Sequence, residues 1–265
     1  MELYQALILA IVQGLTEFLP ISSSGHLILP SQLLGWPDQG LAFDVAVHIG
    51  SLIAVVWYFK QDIWNTSHGW LMRIFKGVKS PESKLGWQVI YATIPAALIG
   101  FFADGFIEEN LRTMTVIGTT TIVFGLCLGW ADKFGSRKLD LADMTLAAAI
   151  LIGIAQAFAL IPGTSRSGIT ITAALLLGLN RQSAAQFSFL LSVPLILAAG
   201  ALKTVELIGS THAVNWGDIA LGTLVSGITA YICIKTFLAF IDRIGMMPFM
   251  IYRILLGLML FAIAL

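Results

Sequence analysis

Charge is what this sequence has least of. Of its 265 residues only 11% are Asp, Glu, Lys or Arg, against 57% hydrophobic, and the mean hydropathy is +0.87. Soluble globular domains carry about 25% charged residues, so a soluble domain is excluded and an integral membrane protein is expected. The two signs cancel to a formal net charge of zero, which gives a nucleic-acid partner no support. Cysteine is scarce too: Cys127 and Cys233 both fall inside apolar runs, where a thiol behaves as a small hydrophobe. Neither a disulfide framework nor a Cys-based zinc site follows. The short alternation of barrel strands is missing, so the spans are expected to be helical. A basic n-region is missing as well. The chain starts Met1-Glu2 and its first apolar run leads into polar residues rather than a small-residue cleavage site, so no cleavable signal peptide is expected.

What is present is a series of long apolar runs, interrupted twice by polar clusters. Residues 3–19 are apolar up to Pro20, followed by Ile21-Ser22-Ser23-Ser24-Gly25-His26 and a short apolar run over 27–35. At 1.5 Å per residue the first run reaches about 25 Å and the second about half of that. Together they read as a re-entrant hairpin, 3–35, tolerated at membrane depth only where its tip is buried in protein or wet. Spans are expected at about 44–59, 88–106 and 114–131. Between the first two lies a polar, basic loop with Lys60, Arg73, Lys76, Lys79 and Lys84, and with Trp64 and Trp70, which suit the membrane interface. The order then recurs. Residues 144–161 are apolar, Pro162–Gly168 is polar, 169–179 is a short apolar run, and spans follow at about 187–202, 218–236 and 249–265.

The recurrence shows in the residues. Ile11-Val12-Gln13 matches Ile154-Ala155-Gln156, and Ser24-Gly25 matches Ser167-Gly168, both at an offset of 143. The predicted fold is therefore an all-α integral membrane protein, a polytopic helical bundle of two repeats in one membrane domain. The first repeat covers 1–135 and the second 142–265, each a re-entrant hairpin (3–35 and 144–179) plus three transmembrane helices. Three crossings and a hairpin make an odd number, so the second repeat is expected to be inverted. Basic residues agree. With loop 60–87 inside, eleven of the 15 Lys and Arg fall inside: Lys60, Arg73, Lys76, Lys79, Lys84, Lys133, Arg137, Lys138, Arg181, Lys235 and Arg243. Only Arg112 and Lys203 fall outside, so both termini are predicted outside. The hairpins then enter from opposite sides and their polar tips can meet near the midplane.

The second tip, Pro162-Gly163-Thr164-Ser165-Arg166-Ser167-Gly168-Ile169-Thr170, places an arginine between apolar runs. Such a residue is expensive unless paired or in a wet cavity, and is functional by default. Hydroxyls, unpaired N–H groups at half-helix starts and a guanidinium together suit a phosphate. The first tip supplies Gln13 and Glu17, four apart on one helix face, with Arg166 as the obvious partner of Glu17. Ser22, Ser23 and Ser24 are good N-cap residues, and His26 is a candidate general acid/base or nucleophile. Such a set could cleave a diphosphate, with Ser23 or His26 attacking the terminal phosphorus and Glu17 orienting or deprotonating. Arg166 and the serine hydroxyls would hold the developing charge. Candidate substrate contacts are Gln13, Ser22, Ser24, Gly163, Ser165, Ser167 and Thr170. Asp44 and His48, a turn apart at the outer end of the first span, are supporting or simply interfacial. Asp104, Glu108, Glu109 and Arg112 read as an outside loop, His68 and His212 as loop residues, and Arg253, near the inner end of the last span, either as a side chain that snorkels or as one with a role at the site.

These two segments, Gln13 to His26 and Pro162 to Thr170, closely resemble the undecaprenyl-diphosphate phosphatase family, also called the bacitracin resistance protein family. Its two motifs, Glu/Gln-x-x-x-Glu and Pro-Gly-x-Ser-Arg-Ser-x-x-Thr, are complete here, and the likeness runs over essentially the whole chain. The resemblance implies removal of the terminal phosphate of undecaprenyl diphosphate, regenerating the lipid carrier of peptidoglycan synthesis, and bacitracin resistance. It implies a divalent cation, Mg2+ or Ca2+, with Glu17 a candidate ligand. It also implies a homodimer in the bacterial inner membrane with the site on the outer, periplasmic side. Carried over by position, the catalytic set is Glu17, Ser23, His26 and Arg166, with the nucleophile left open. Gln13 takes the glutamine option at the motif's first position, which puts any carboxylate role there in doubt.

Two rivals differ at named residues. The lipid-phosphatase superfamily of acid phosphatases also uses Ser-Gly-His and Ser-Arg elements, but needs a histidine six residues after the arginine, where Thr172 stands. A transporter or flippase of polyprenyl phosphate fits the repeat, yet has less use for a hydroxyl, an imidazole and a carboxylate beside one arginine.

Overall fold

Six apolar helices set the frame. The computed structural model describes residues 1–208 and 215–264, apart from the side chains of Asp104 and Glu108. Its helices are α1 (Leu3–Thr16), α2 (Ser23–Leu27), α3 (Leu29–Leu34), α4 (Leu41–Tyr58), α5 (Lys60–Lys76) and α6 (Pro81–Asn110). They continue with α7 (Met114–Phe134), α8 (Leu146–Ala157), α9 (Arg166–Leu176), α10 (Arg181–Ile208), α11 (Trp216–Ile244) and α12 (Met247–Ala264). Leu139 and Leu179 make an isolated bridge, and no strand occurs among the described residues. By length and composition α4, α6 over Pro81–Ala103, α7, α10, α11 and α12 can cross a membrane. Large apolar side chains such as Phe102 (80% exposed), Leu255 and Ile228 face outward. In water they would form a patch prone to association; on a multi-pass membrane protein they meet lipid.

Helices α1 and α8 are apolar but too short, at about 21 and 18 Å, for a hydrocarbon core of about 30 Å. Each stops a few residues before a polar break, α8 through a 3-10 turn at Phe158–Leu160, and packs against longer neighbours, α1 on α11 and α8 on α6. The contact of α1 with α11 depends on Gly14. A Cβ there would stand 2.6 Å from Ser226 O and 2.8 Å from Thr229 Cβ, so the two backbones approach as small-residue helix contacts in membranes do.

Several expectations are corrected. The basic loop 60–87 is largely helix α5, whose polar sequence hides its periodicity, and His68 lies on it. Asp104, Glu108 and Glu109 belong to helix α6 rather than a loop. The expected spans 88–106, 187–202 and 218–236 are the apolar centres of longer helices: α6 continues back to a Ser80–Ser83 capping box, and Asn215 caps α11. Apolar runs mark what suits lipid, whereas a helix continues until a cap stops it. The single half-length helix over 27–35 is two pieces, α2 and α3, with Pro30 in the first turn of α3. His212 and Leu265, the end of the span 249–265, lie outside the described residues.

Candidate active site

Both polar breaks turn on a serine in a backbone conformation that serine rarely adopts. Ser22 has φ 73° and ψ 98°, and Ser165 has φ 69° and ψ 115°. Non-glycine residues seldom take positive φ, and holding one there costs about 1–3 kcal/mol and tends to mark functional sites. Each serine then caps the returning helix. Ser22 Oγ accepts from the Gly25 N–H at 3.4 Å, and Ser165 Oγ from the Gly168 N–H at 3.2 Å. A second serine lies beside each cap, Ser24 at 3.1 Å and Ser167 at 3.3 Å.

The tips hold each other. The Gly163 N–H donates to Ser24 Oγ at 3.3 Å, and Ser167 Oγ donates to Leu19 O at 2.9 Å. Behind them lies Arg253, which is fully buried and does not snorkel. Its Nε donates to Thr121 O at 3.0 Å and Nη1 to Pro20 O at 3.3 Å. Nη2 reaches Gly163 O at 3.0 Å and Thr164 O at 2.8 Å. One planar fork therefore ties tip one, tip two and α7, a geometry that suits arginine's fixed donors. Room for it comes from Gly125 and Gly168, where a Cβ would stand 2.9 Å from Arg253 Cβ and 2.7 Å from its Nη1. The expectation that this residue reaches for the membrane surface came from its distance to a helix end; its partners are carbonyls that no motif displays.

Glu17 is the centre of the site. Its Oε1 accepts from Arg166 Nη2 at 3.0 Å, and its Oε2 from Gln13 Nε2 at 2.9 Å and Ser23 Oγ at 3.1 Å. Arg166 also donates through Nη1 to Ser188 O at 3.2 Å, and its guanidinium lies over the Phe18 ring at 5.6 Å. A guanidinium has five N–H donors, so these bonds leave several for a ligand. The carboxylate, the hydroxyl and the guanidinium line a cavity of about 370 Å³ together with Ser22, Ser24 and Ser165. The N-terminus of α9, an 11-residue helix, opens at this cavity and favours negative charge. The matching contribution expected from tip one is much weaker, because α2 has five residues.

Other predicted residues stand behind or beside the cavity. Gln13, Ser167 and Thr170 are completely buried; Thr170 Oγ1 donates to Arg166 O at 2.8 Å and lies 2.7 Å from Ser188 Oγ, so it steadies the arginine's turn. Gly163 is the crossing point between tips. His26 is off the cavity wall: its Nδ1–H donates to Ser22 O at 2.7 Å, and its Nε2 pairs with Tyr252 Oη at 2.6 Å.

Residues outside the motifs complete the wall. His48 donates through Nδ1 to Asp44 O at 2.7 Å, and its Nε2 stands 3.8 Å from Glu17 Oε2. Asp44, Arg112 and Lys203 line the cavity as well. So does Gln156, whose amide is buried with no partner among the described residues. Its only sequence signal was its match to Gln13. As for a metal, no three His, Cys, Asp or Glu side chains gather into a binding group among the described residues. Glu17 is the lone carboxylate at the tips and both its oxygens already accept hydrogen bonds. The donor set fits no all-protein cage, only a cation that brings most of its ligands along.

Comparisons with known proteins agree with this picture. The family model described as bacitracin resistance protein BacA matches residues 6–259. A protein of Chromohalobacter salexigens named undecaprenyl-diphosphatase is 62% identical over 260 residues, 98% of each chain. Proteins of that name from Alteromonas mediterranea and Saccharophagus degradans are each 57% identical, over 97% of both chains and over 99% of this chain and 98% of the other. With the motifs, the paired tips and a match over nearly its full length, the chain belongs to the bacitracin resistance protein BacA family.

Proposed function

We propose that this protein is an undecaprenyl-diphosphate phosphatase. It hydrolyses the terminal phosphate of undecaprenyl diphosphate, returns the monophosphate carrier to cell-wall synthesis, and in doing so confers bacitracin resistance. One observation carries the mechanism: Glu17 sits between the Ser23 hydroxyl and the Arg166 guanidinium on a cavity wall. A nucleophile within reach of a base, with a cation beside both, is the arrangement an activated hydroxyl needs.

Ser23 Oγ attacks the terminal phosphorus as its proton passes to Glu17 Oε2. The bond from phosphorus to the bridging oxygen breaks, and the polyprenyl monophosphate leaves as an anion that needs no proton. Water then attacks the phosphoserine, the P–Oγ bond breaks, Glu17 returns its proton to Ser23 and inorganic phosphate departs. Arg166 and the N-terminus of α9 stabilise charge on the transferring phosphoryl group, the dominant contribution in such reactions. His26 is a positioning residue here, holding the carbonyl of the strained Ser22. Glu17 would be the one protein ligand of a magnesium or calcium ion, which would neutralise part of the substrate's charge.

The same reading takes the two hairpin units as inverted repeats in one domain, related across the paired tips. The identical caps at Ser22 and Ser165 support it. The cavity is lined by Asp44, Arg112 and Lys203, from the ends assigned to the outer side by the distribution of basic residues. That supports a site open to the periplasmic face of a bacterial inner membrane; the homodimer is what the family resemblance implies. The test is phosphate release from farnesyl or undecaprenyl diphosphate by purified protein in detergent, with magnesium, with calcium and with neither. Release by wild type, with a fall of a hundredfold or more in folded Ser23→Ala and Arg166→Ala, is expected. A wild type that binds the lipid and releases no phosphate would sink the proposal in favour of lipid transport.

A further inference from the structure

We infer that Gln156 is a substrate-binding residue of this site, its side-chain amide donating to a non-bridging oxygen of the diphosphate. The inference rests on the phosphatase reading for the identity of that ligand. Gln156, on α8, is completely buried. Both its Nε2 and its Oε1 lack a partner among the described residues, and the residue forms part of the wall shared by Glu17, Ser23 and Arg166. A buried donor without an acceptor is strongly disfavoured, so native proteins rarely keep one unless a ligand or water completes it.

The contrast with Gln13 shows what is missing. Gln13 holds the corresponding place in the first hairpin, and its Nε2 is satisfied by Glu17, four residues on. Four residues after Gln156 stands Leu160, which lines the same cavity. The second hairpin thus keeps the amide and replaces the carboxylate that would have quenched it. Three side chains at or beside the tips keep buried polar atoms without a partner among the described residues, Gln13 (Oε1), Gln156 (both atoms) and Thr164 (Oγ1), and of these only Gln156 lines the cavity, where it joins the spare Arg166 donors in facing the substrate. A neutral amide suits the task. It offers a donor to a phosphoryl oxygen and an acceptor to a water or a protonated phosphate oxygen, and adds no charge beside Arg166.

The experiment compares Gln156→Leu and Gln156→Met with wild type in two measurements. The first is thermal unfolding without ligand. Because each variant removes an unsatisfied polar group, both are expected to unfold at the wild-type temperature or above it. The second is steady-state phosphate release from farnesyl diphosphate, where kcat/KM is expected to fall about tenfold to a hundredfold, as for loss of a hydrogen bond to a charged group. Gln156→Glu, which sets a second carboxylate against the diphosphate, is expected to fall further. Wild-type kinetics in both apolar variants would overturn the inference, as would early unfolding that accounts for the lost activity. Should wild type release no phosphate, the phosphatase reading fails by itself. Stabilisation by added pyrophosphate then reads the contact directly: a shift lost in Gln156→Leu supports it, and an equal shift in both proteins overturns it.

Discussion

A carboxylate held between a guanidinium and a hydroxyl does two jobs that substitution can separate. Glu17→Gln keeps the shape and removes both the base and the counter-charge of Arg166. Activity is expected to fall by about 10²–10⁴-fold, the range for general-base loss. Stability is expected to fall too, by about 3 kcal/mol, because breaking a buried ion pair strands a charge. The double variant Glu17→Gln/Arg166→Met is expected to regain most of that stability and none of the activity. Thermal unfolding in detergent beside a phosphate-release assay checks both halves. If the double variant is no more stable than the single, the pair is not what holds the tips. Arg253→Lys probes the other guanidinium. An ammonium cannot reach the carbonyls of Pro20, Gly163, Thr164 and Thr121 together, and each buried carbonyl left unmet costs about 1–3 kcal/mol. A lower unfolding temperature and at least tenfold less activity are expected, although Arg253 is not one of the residues that line the cavity.

At the scale of single elements, α1 is a lever whose far end is the site. Gly14 lies three residues before Glu17 and lets α1 seat on α11. Gly14→Val is expected to cost at least 1–3 kcal/mol from overpacking and to reduce activity by moving the carboxylate, read by unfolding temperature and kcat. Wild-type kinetics in this variant would show that the contact at Ser226 is dispensable. The elements also show what a sequence can reveal. The tips were legible because Glu17 and Arg166 stand in apolar surroundings where ionisable groups demand partners. Helix α5 was not, since its polar residues run on all sides of Trp64 and Ile63 and read as a loop. The place of His26 was not legible either: a Ser-Gly-His string says nothing about Tyr252, 226 residues away. Gln156 carried no marker beyond its match to Gln13, because an amide's lack of partners is a property of packing alone.

For the whole molecule, the distribution of basic residues makes a topological statement that labelling can test. Lys79 and Glu2 are both exposed, and the proposed topology puts them on opposite faces. In a background of Cys127→Ala and Cys233→Ser, a membrane-impermeant thiol reagent added to intact cells is expected to label Glu2→Cys and spare Lys79→Cys until the membrane is opened. The reverse pattern would invert the topology and turn the cavity toward the cytoplasm.

The reciprocal bonds between the tips also bear on how the chain is made. A ribosome delivers Glu17 long before Arg166, with 148 residues between them. Until the second hairpin emerges, Ser24 has no Gly163 to accept from and the carboxylate has no counter-ion, and until α12 follows, Pro20 O has no Arg253. The first half must therefore wait in the bilayer with its carboxyl protonated or bathed in water. Closure of the site becomes one of the last events of biogenesis, dependent on the final helix.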